Sequence, residues 1–324
     1  MLNFSAVMTM KGIELARGFY EEYGKPVLEN NFSDILPYIA VGFVGSGSEH
    51  YGFDDELSRD HDFEPGFNIF IPGEDIVDER REFQLERAYA KLPKEYCGVK
   101  RLPMSPVGGN RHGVMRIADF YKRAVGSPDG EISVNSWLTI PDYALAQAVN
   151  GEIFYDGSGE FTRIRNKIKD MPDDVRLKRL AGNLLIMAQS GQYNYSRCLH
   201  RGEAEAAQLA CGEFVKSALK VHFLLCGEYM PYYKWSFRAL RQNGQKDTAE
   251  RLSSVLLGDI RDAKTAEDKY YIIEQEASCV ISALQEKGLT DAICGDLEKH
   301  AYSVNDKIKD GNIRNMHILT AVSE

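Results

Sequence analysis

Residues 44–62 read Val-Gly-Ser-Gly-Ser-Glu-His-Tyr-Gly-Phe-Asp-Asp-Glu-Leu-Ser-Arg-Asp-His-Asp. The apolar run Ile39–Val44 leads into this stretch, and a second apolar segment, Phe67–Ile71, follows it. Two short strands are expected, with a small-residue turn at Gly47-Ser48 and an acid pair, Asp60 and Asp62, between them. Glycine lets a backbone approach a phosphate with no Cβ in the way, and a serine hydroxyl adds one hydrogen bond. A branched side chain at Gly47 is therefore expected to block the phosphate more than it harms folding. Residues i and i+2 of a strand share a face, roughly 6–7 Å apart, so the two carboxylates are expected to point together. His61 then faces the other way and suits a packing or hydrogen-bonding role. Asp54, Asp55 and Glu56 read as a solvated turn.

Gly-Ser alone carries no information, and Asp-x-Asp recurs by chance in acidic chains. What separates this stretch from a polar loop with solvated acids is the joint order of strand, Gly-Ser, spacer, acid pair and strand. That order resembles the DNA polymerase β-like nucleotidyltransferase superfamily. Within it the chain is similar to the small-substrate branch that includes kanamycin nucleotidyltransferase and the minimal nucleotidyltransferases. The resemblance implies that Asp60 and Asp62 are catalytic and bind Mg2+, an ion that takes oxygen ligands and keeps substrate phosphates in its shell. It implies that Gly47 and Ser48 hold the phosphates of a nucleoside triphosphate, with ATP the expected nucleotide. The implied reaction moves a nucleoside monophosphate to a hydroxyl acceptor and releases pyrophosphate.

Members of this superfamily commonly carry a third carboxylate on a later strand. The expected strand, His112–Ile117, contains no Asp or Glu. Asp119, Glu131, Glu152 and Asp156 lie nearby, and none stands out.

The chain has 324 residues, 44% of them hydrophobic and 27% charged, ordinary values for a globular protein long enough for two domains. No run reaches the roughly 18–20 apolar residues of a membrane helix. The first ten residues lack the basic start of a signal peptide. Six cysteines show neither Cys-x-x-Cys nor zinc-ligand spacing. Scattered thiols of that kind suit core positions in a reducing compartment, so a cytoplasmic protein is expected. The net charge of −9, without a long basic block, argues against nucleic acid as a partner. It is compatible with a small cationic acceptor.

Strand and helix signals interleave up to about residue 160, and beyond it only amphipathic segments remain. Helices are expected over 10–30, 74–92, 118–125 and 141–150, and later over 172–187, 203–229, 249–257 and 263–287. The expected fold class is α+β, with a small mixed-sheet catalytic domain over 1–160 and an α-helical bundle over 161–324. In the helical part, Lys234 follows an aromatic cluster, and Arg197 and Arg201 stand four apart on one helical face. They are candidate triphosphate contacts, set against the plainer readings of a snorkelling lysine and a solvated basic face. Two other functions compete: a protein- or RNA-modifying nucleotidyltransferase of toxin–antitoxin type, and a regulatory protein with a degenerate nucleotide site. A basic groove beside Ser48 favours RNA, and loss of metal binding favours the regulatory reading.

Overall fold

The structure, a computed structural model, describes residues 10–55, 63–101 and 112–322. The fold is α+β, and the chain forms two compact units. One comprises Met1–Ile132 with Gln147–Asp170, the other Ser133–Ala146 with Met171–Glu324. The expected single cut at 160/161 thus gives way to a division in which a short early segment joins the later unit. The physical reason is Arg179. Its guanidinium, 2% exposed, donates to the carbonyls of Trp137 and Ile140 and pairs with Asp142 at 2.6 Å.

The first unit is built on a four-stranded mixed sheet of β1 (Ala40–Phe43), β2 (Asn68–Ile71), β5 (Gly113–Arg116) and β6 (Glu152–Asp156), in the order β5-β2-β1-β6. A small hairpin, β3 (Glu95–Tyr96) and β4 (Val99–Lys100), stands apart. β1 runs antiparallel to both β2 and β6, with Gly42 opposite Asn68 and Phe43 opposite Glu152, while β2 and β5 are parallel. These registers bring the end of β1 and the starts of β2, β5 and β6 to one edge of the sheet. All residues of β1 and β2 are buried, as expected of central strands covered on both faces. On one face Val41, Ile69 and Ile71 share a core with Phe19, Leu28 and Leu85. On the other, Phe70 meets Phe120 and Phe161, and the Tyr121 hydroxyl donates to the Phe161 carbonyl at 3.0 Å.

The expected first helix runs from Gly12 to Asn31 through a π-helical turn at Tyr20–Gly24. The helix expected over 74–92 occupies Glu79–Ala90 and buries Leu85 and Tyr89. Phe83, expected among its apolar positions, is instead 57% exposed, beneath the Arg87 guanidinium.

The second unit is helical. Asp173–Met187 continues through a π-helical segment, Ala188–Tyr195, into Ser196–His200, and Ala204–Cys226 packs against it. The stripe expected on that last helix is real: Ala207, Cys211, Phe214, Ala218 and Val221 are all fully buried. Gly191 makes the close packing possible, since a Cβ there would lie 2.8 Å from Phe214 and 2.9 Å from Ile273. Helices Tyr233–Gln242, Lys246–Leu257, Ala263–Glu286 and Leu297–Asp306 complete the unit. Within it Glu276, wholly buried, accepts from His222 at 2.5 Å and from Arg251 at 2.7 Å. Only one of the six thiols is a core residue: Cys211 is buried, and burial pushes it up to about 11, whereas Cys226, Cys279 and Cys294 are exposed. No described helix is long and apolar enough to cross a membrane.

Candidate active site

The Gly-Ser turn leaves the sheet at the end of β1. Gly45 has φ 127° and Gly47 has φ 122° with ψ 153°, the second a conformation that is nearly glycine-only. The backbone therefore requires glycine at 47 before any ligand is considered. A side chain at Gly47 thus carries a folding cost of its own, beside the block to phosphate that the sequence leads one to expect. Ser48 opens a single 3-10 turn, Ser48–Tyr51, and is buried at 8% exposure.

Asn150 fixes the entry to the turn. Its side chain accepts from the Gly45 N–H at 3.0 Å and donates to the Gly45 carbonyl at 2.7 Å. Arg165 holds Asn150 in place by donating to the carbonyls of Val149, Asn150 and Gly151. Gly151 must itself be glycine: it has φ 66°, and a Cβ would collide with the Phe43 carbonyl and lie 2.9 Å from Val44 Cα. Burial pushes the Tyr51 hydroxyl up to about 12, with the Asn150 side chain acting in the opposite direction, so this phenol stays protonated at neutral pH. Phe43 stacks on His50 and on His112, with ring centroids 4.2 and 5.2 Å away, and the two imidazoles are themselves 6.2 Å apart. None of these supports was evident from the sequence, although Asn150-Gly151 carries an ordinary turn signature.

Asp60 and Asp62, with Ser58, Arg59 and His61, lie outside the described residues. Both flanks of their segment are described, and both reach the start of the first helix. Asp54 accepts from the Gly12 N–H at 2.9 Å, and its carbonyl accepts from Lys11. A Cβ on Gly12 would lie 2.7 Å from Glu49 Cβ and 3.6 Å from the Phe63 ring. The reading of Asp54 as a solvated acid is corrected: it is 2% exposed and caps a helix 42 positions earlier. Its Oδ1 is buried and has no hydrogen-bond partner among the described residues.

Of the four other acids near the expected third strand, three are engaged. Glu152 begins β6 at the edge where the turn lies, and it pairs with Arg17. Glu131 pairs with Lys167, and Asp156 accepts from the Thr162 N–H at 2.8 Å. Asp119 sits exposed in the first turn of Ile117–Val125. β5, the expected strand, ends in Arg116, which is tied to Glu82 and to the carbonyls of Pro72 and Val77. The acid nearest the turn is Glu49, passed over in the sequence as part of the spacer. Its carboxylate lies over Gly47, where a Cβ would come within 2.6 Å of Glu49 Cδ. Ser48 Oγ donates to Glu49 Oε2 at 3.4 Å.

Among the described residues no three His, Cys, Asp or Glu side chains converge as a metal cage. The donor chemistry nevertheless suits Mg2+. The Ser48 hydroxyl and the Glu49 carboxylate at the turn, and Asp54 Oδ1, which has no hydrogen-bond partner among the described residues, are hard oxygen donors.

The three candidate cations belong to the second unit. Arg197 stacks over Tyr193 at 4.6 Å and donates to its hydroxyl at 2.5 Å. Arg201 ends the short Ser196–His200 helix and is exposed. Lys234 is exposed in the first turn of Tyr233–Gln242, next to Tyr232 and Tyr233, whose rings are 4.5 Å apart and 43% and 66% exposed.

A family model described as a domain of unknown function, DUF4037, matches residues 137–236. No curated protein matches the chain. Among solved structures, a nucleotidyltransferase-like protein from Exiguobacterium sibiricum 255-15 is similar at 12% identity and a TM-score of 0.37, over 92% of this chain and 81% of that one.

Proposed function

We propose that the first unit transfers a nucleoside monophosphate from a nucleoside triphosphate, ATP by expectation, to a hydroxyl of a small-molecule acceptor. The observation that carries this reading is convergence. The Gly45–Ser48 turn closes the central strand, and Phe63, the residue after Asp62, packs beside Gly12 together with Glu49, the residue after Ser48. On that ground we assign the acid pair, which precedes Phe63 in the sequence, to the same site. Gly47 gives the turn its glycine-only conformation, and Ser48 has a hydroxyl to donate to phosphate oxygens. Asp60 and Asp62 would hold Mg2+, which when bound neutralises charge on the triphosphate. The acceptor oxygen bonds to the α-phosphorus as the bond from that phosphorus to the bridging oxygen breaks, and pyrophosphate leaves. The acceptor's proton passes to a base or to water.

The test is pyrophosphate release from ATP and Mg2+ in the presence of a small-molecule extract, with melting temperature measured alongside. Asp60→Asn and Asp62→Asn should each lower the rate by about a hundredfold or more while leaving melting nearly unchanged. Full activity in both variants sinks the two-carboxylate mechanism.

A further inference from the structure

Resting on the nucleotidyl-transfer reading, we infer that Glu49 is the third acidic group of the site and couples triphosphate binding to the divalent cation. Its carboxylate covers the face of the turn that the missing Cβ of Gly47 leaves open. It lies beside the Ser48 hydroxyl and is held in a side chain only 12% exposed, with His50 Nδ1 3.4 Å from Oε1. A phosphate approaching that face meets a fixed negative charge. The two anions share the turn only with a cation between them, since like charges in a partly buried site repel strongly. β5 offers no acid for this role. Glu49 and Phe63 both lie at Gly12.

Two titrations read this coupling without turnover: Mn2+ alone, followed by electron paramagnetic resonance, and α,β-methylene-ATP by calorimetry, with Mg2+ or with EDTA. In the wild-type protein the nucleotide should bind about tenfold or more tightly with Mg2+ than with EDTA. Glu49→Gln should move the two ligands in opposite directions. Mn2+ binding weakens by about tenfold through loss of a charged oxygen ligand, and metal-free nucleotide binding strengthens through loss of repulsion. A residue that merely packs the turn would not produce that opposition. Both affinities within about twofold of wild type, a change too small for a lost ion ligand, overturn the inference. Should Glu49→Gln fail to fold, Glu49→Asp keeps the charge but withdraws it by one methylene. Severalfold weaker Mn2+ binding is then expected, and unchanged affinity overturns the inference. A wild-type protein that binds no nucleotide with either metal condition overturns the nucleotidyl-transfer reading itself, a result distinct from the others.

Discussion

Removing the Asn150 side chain should loosen the Gly45–Ser48 turn from outside it. Asn150 makes two hydrogen bonds to one residue, accepting from the Gly45 N–H and donating to the Gly45 carbonyl, both partly buried. A typical hydrogen bond contributes about 0.5–1.5 kcal/mol net, and a stranded donor costs about 1–3 kcal/mol. Asn150→Ala loses both bonds and strands the Gly45 N–H in a half-buried position, so a loss of about 2–3 kcal/mol is expected. In a unit of this size about 1 kcal/mol moves melting by roughly 2–4 °C, which gives a fall of roughly 4–12 °C. Asn150→Asp separates structure from function. It keeps the acceptor for Gly45 N–H and should melt above Asn150→Ala, but it adds a negative charge beside the turn and should bind α,β-methylene-ATP more weakly. Differential scanning calorimetry and nucleotide titration of both variants provide the check. An Asn150→Ala protein that melts within about 1 °C of wild type would refute the clasp, because no net loss would remain for two hydrogen bonds.

Gly47→Ala forces a side chain into a backbone conformation reserved for glycine and should cost about 1–3 kcal/mol in denaturant unfolding. An unchanged midpoint would place the turn in a different conformation. Acid stability of the second unit should depend on Glu276. Burial alone pushes this carboxyl up, but His222 and Arg251 outweigh it and hold it below its ordinary 4.5. Its contribution is therefore present above the unfolded value and lost as pH falls through the lower folded value. Glu276→Gln should destabilise the unit by about 3–5 kcal/mol at pH 7 and flatten the fall in stability below pH 4.5. Parallel pH profiles for the two proteins would exclude that role.

The sequence revealed what local periodicity encodes. Ile39–Val44 and Phe67–Ile71 became the two central strands because consecutive apolar residues suit a strand covered on both faces. The stripe from Ala207 to Val221 became a buried helix face for the same kind of reason. Contacts between distant residues left no such trace. Arg165 belongs to a local basic cluster, 163–167, and nothing in that run shows that its guanidinium serves three carbonyls at the start of β6. Asp54 lies in a run of acids that reads as a loop, and only the returning first helix turns it into a cap. The short Ser133–Ala146 segment joins the later unit through Arg179, a partner 37 positions from Asp142. Of the candidate site, the glycine and serine at 47 and 48 were legible as a turn from the residues alone, whereas the contacts of Asn150 and Glu49 with that turn depend on geometry that spacing does not express.

The central claim is that this chain moves the α-phosphoryl group with its nucleoside. The direct measurement follows the label from [α-32P]ATP and from [γ-32P]ATP in parallel reactions with Mg2+ and a small-molecule extract as the acceptor source. The account predicts that the α label appears in a new acceptor adduct and the γ label only in pyrophosphate, with both products absent in Asp60→Asn. Transfer of the γ label to an acceptor, or an α label found only in free nucleotide while the wild-type protein binds ATP, would contradict it.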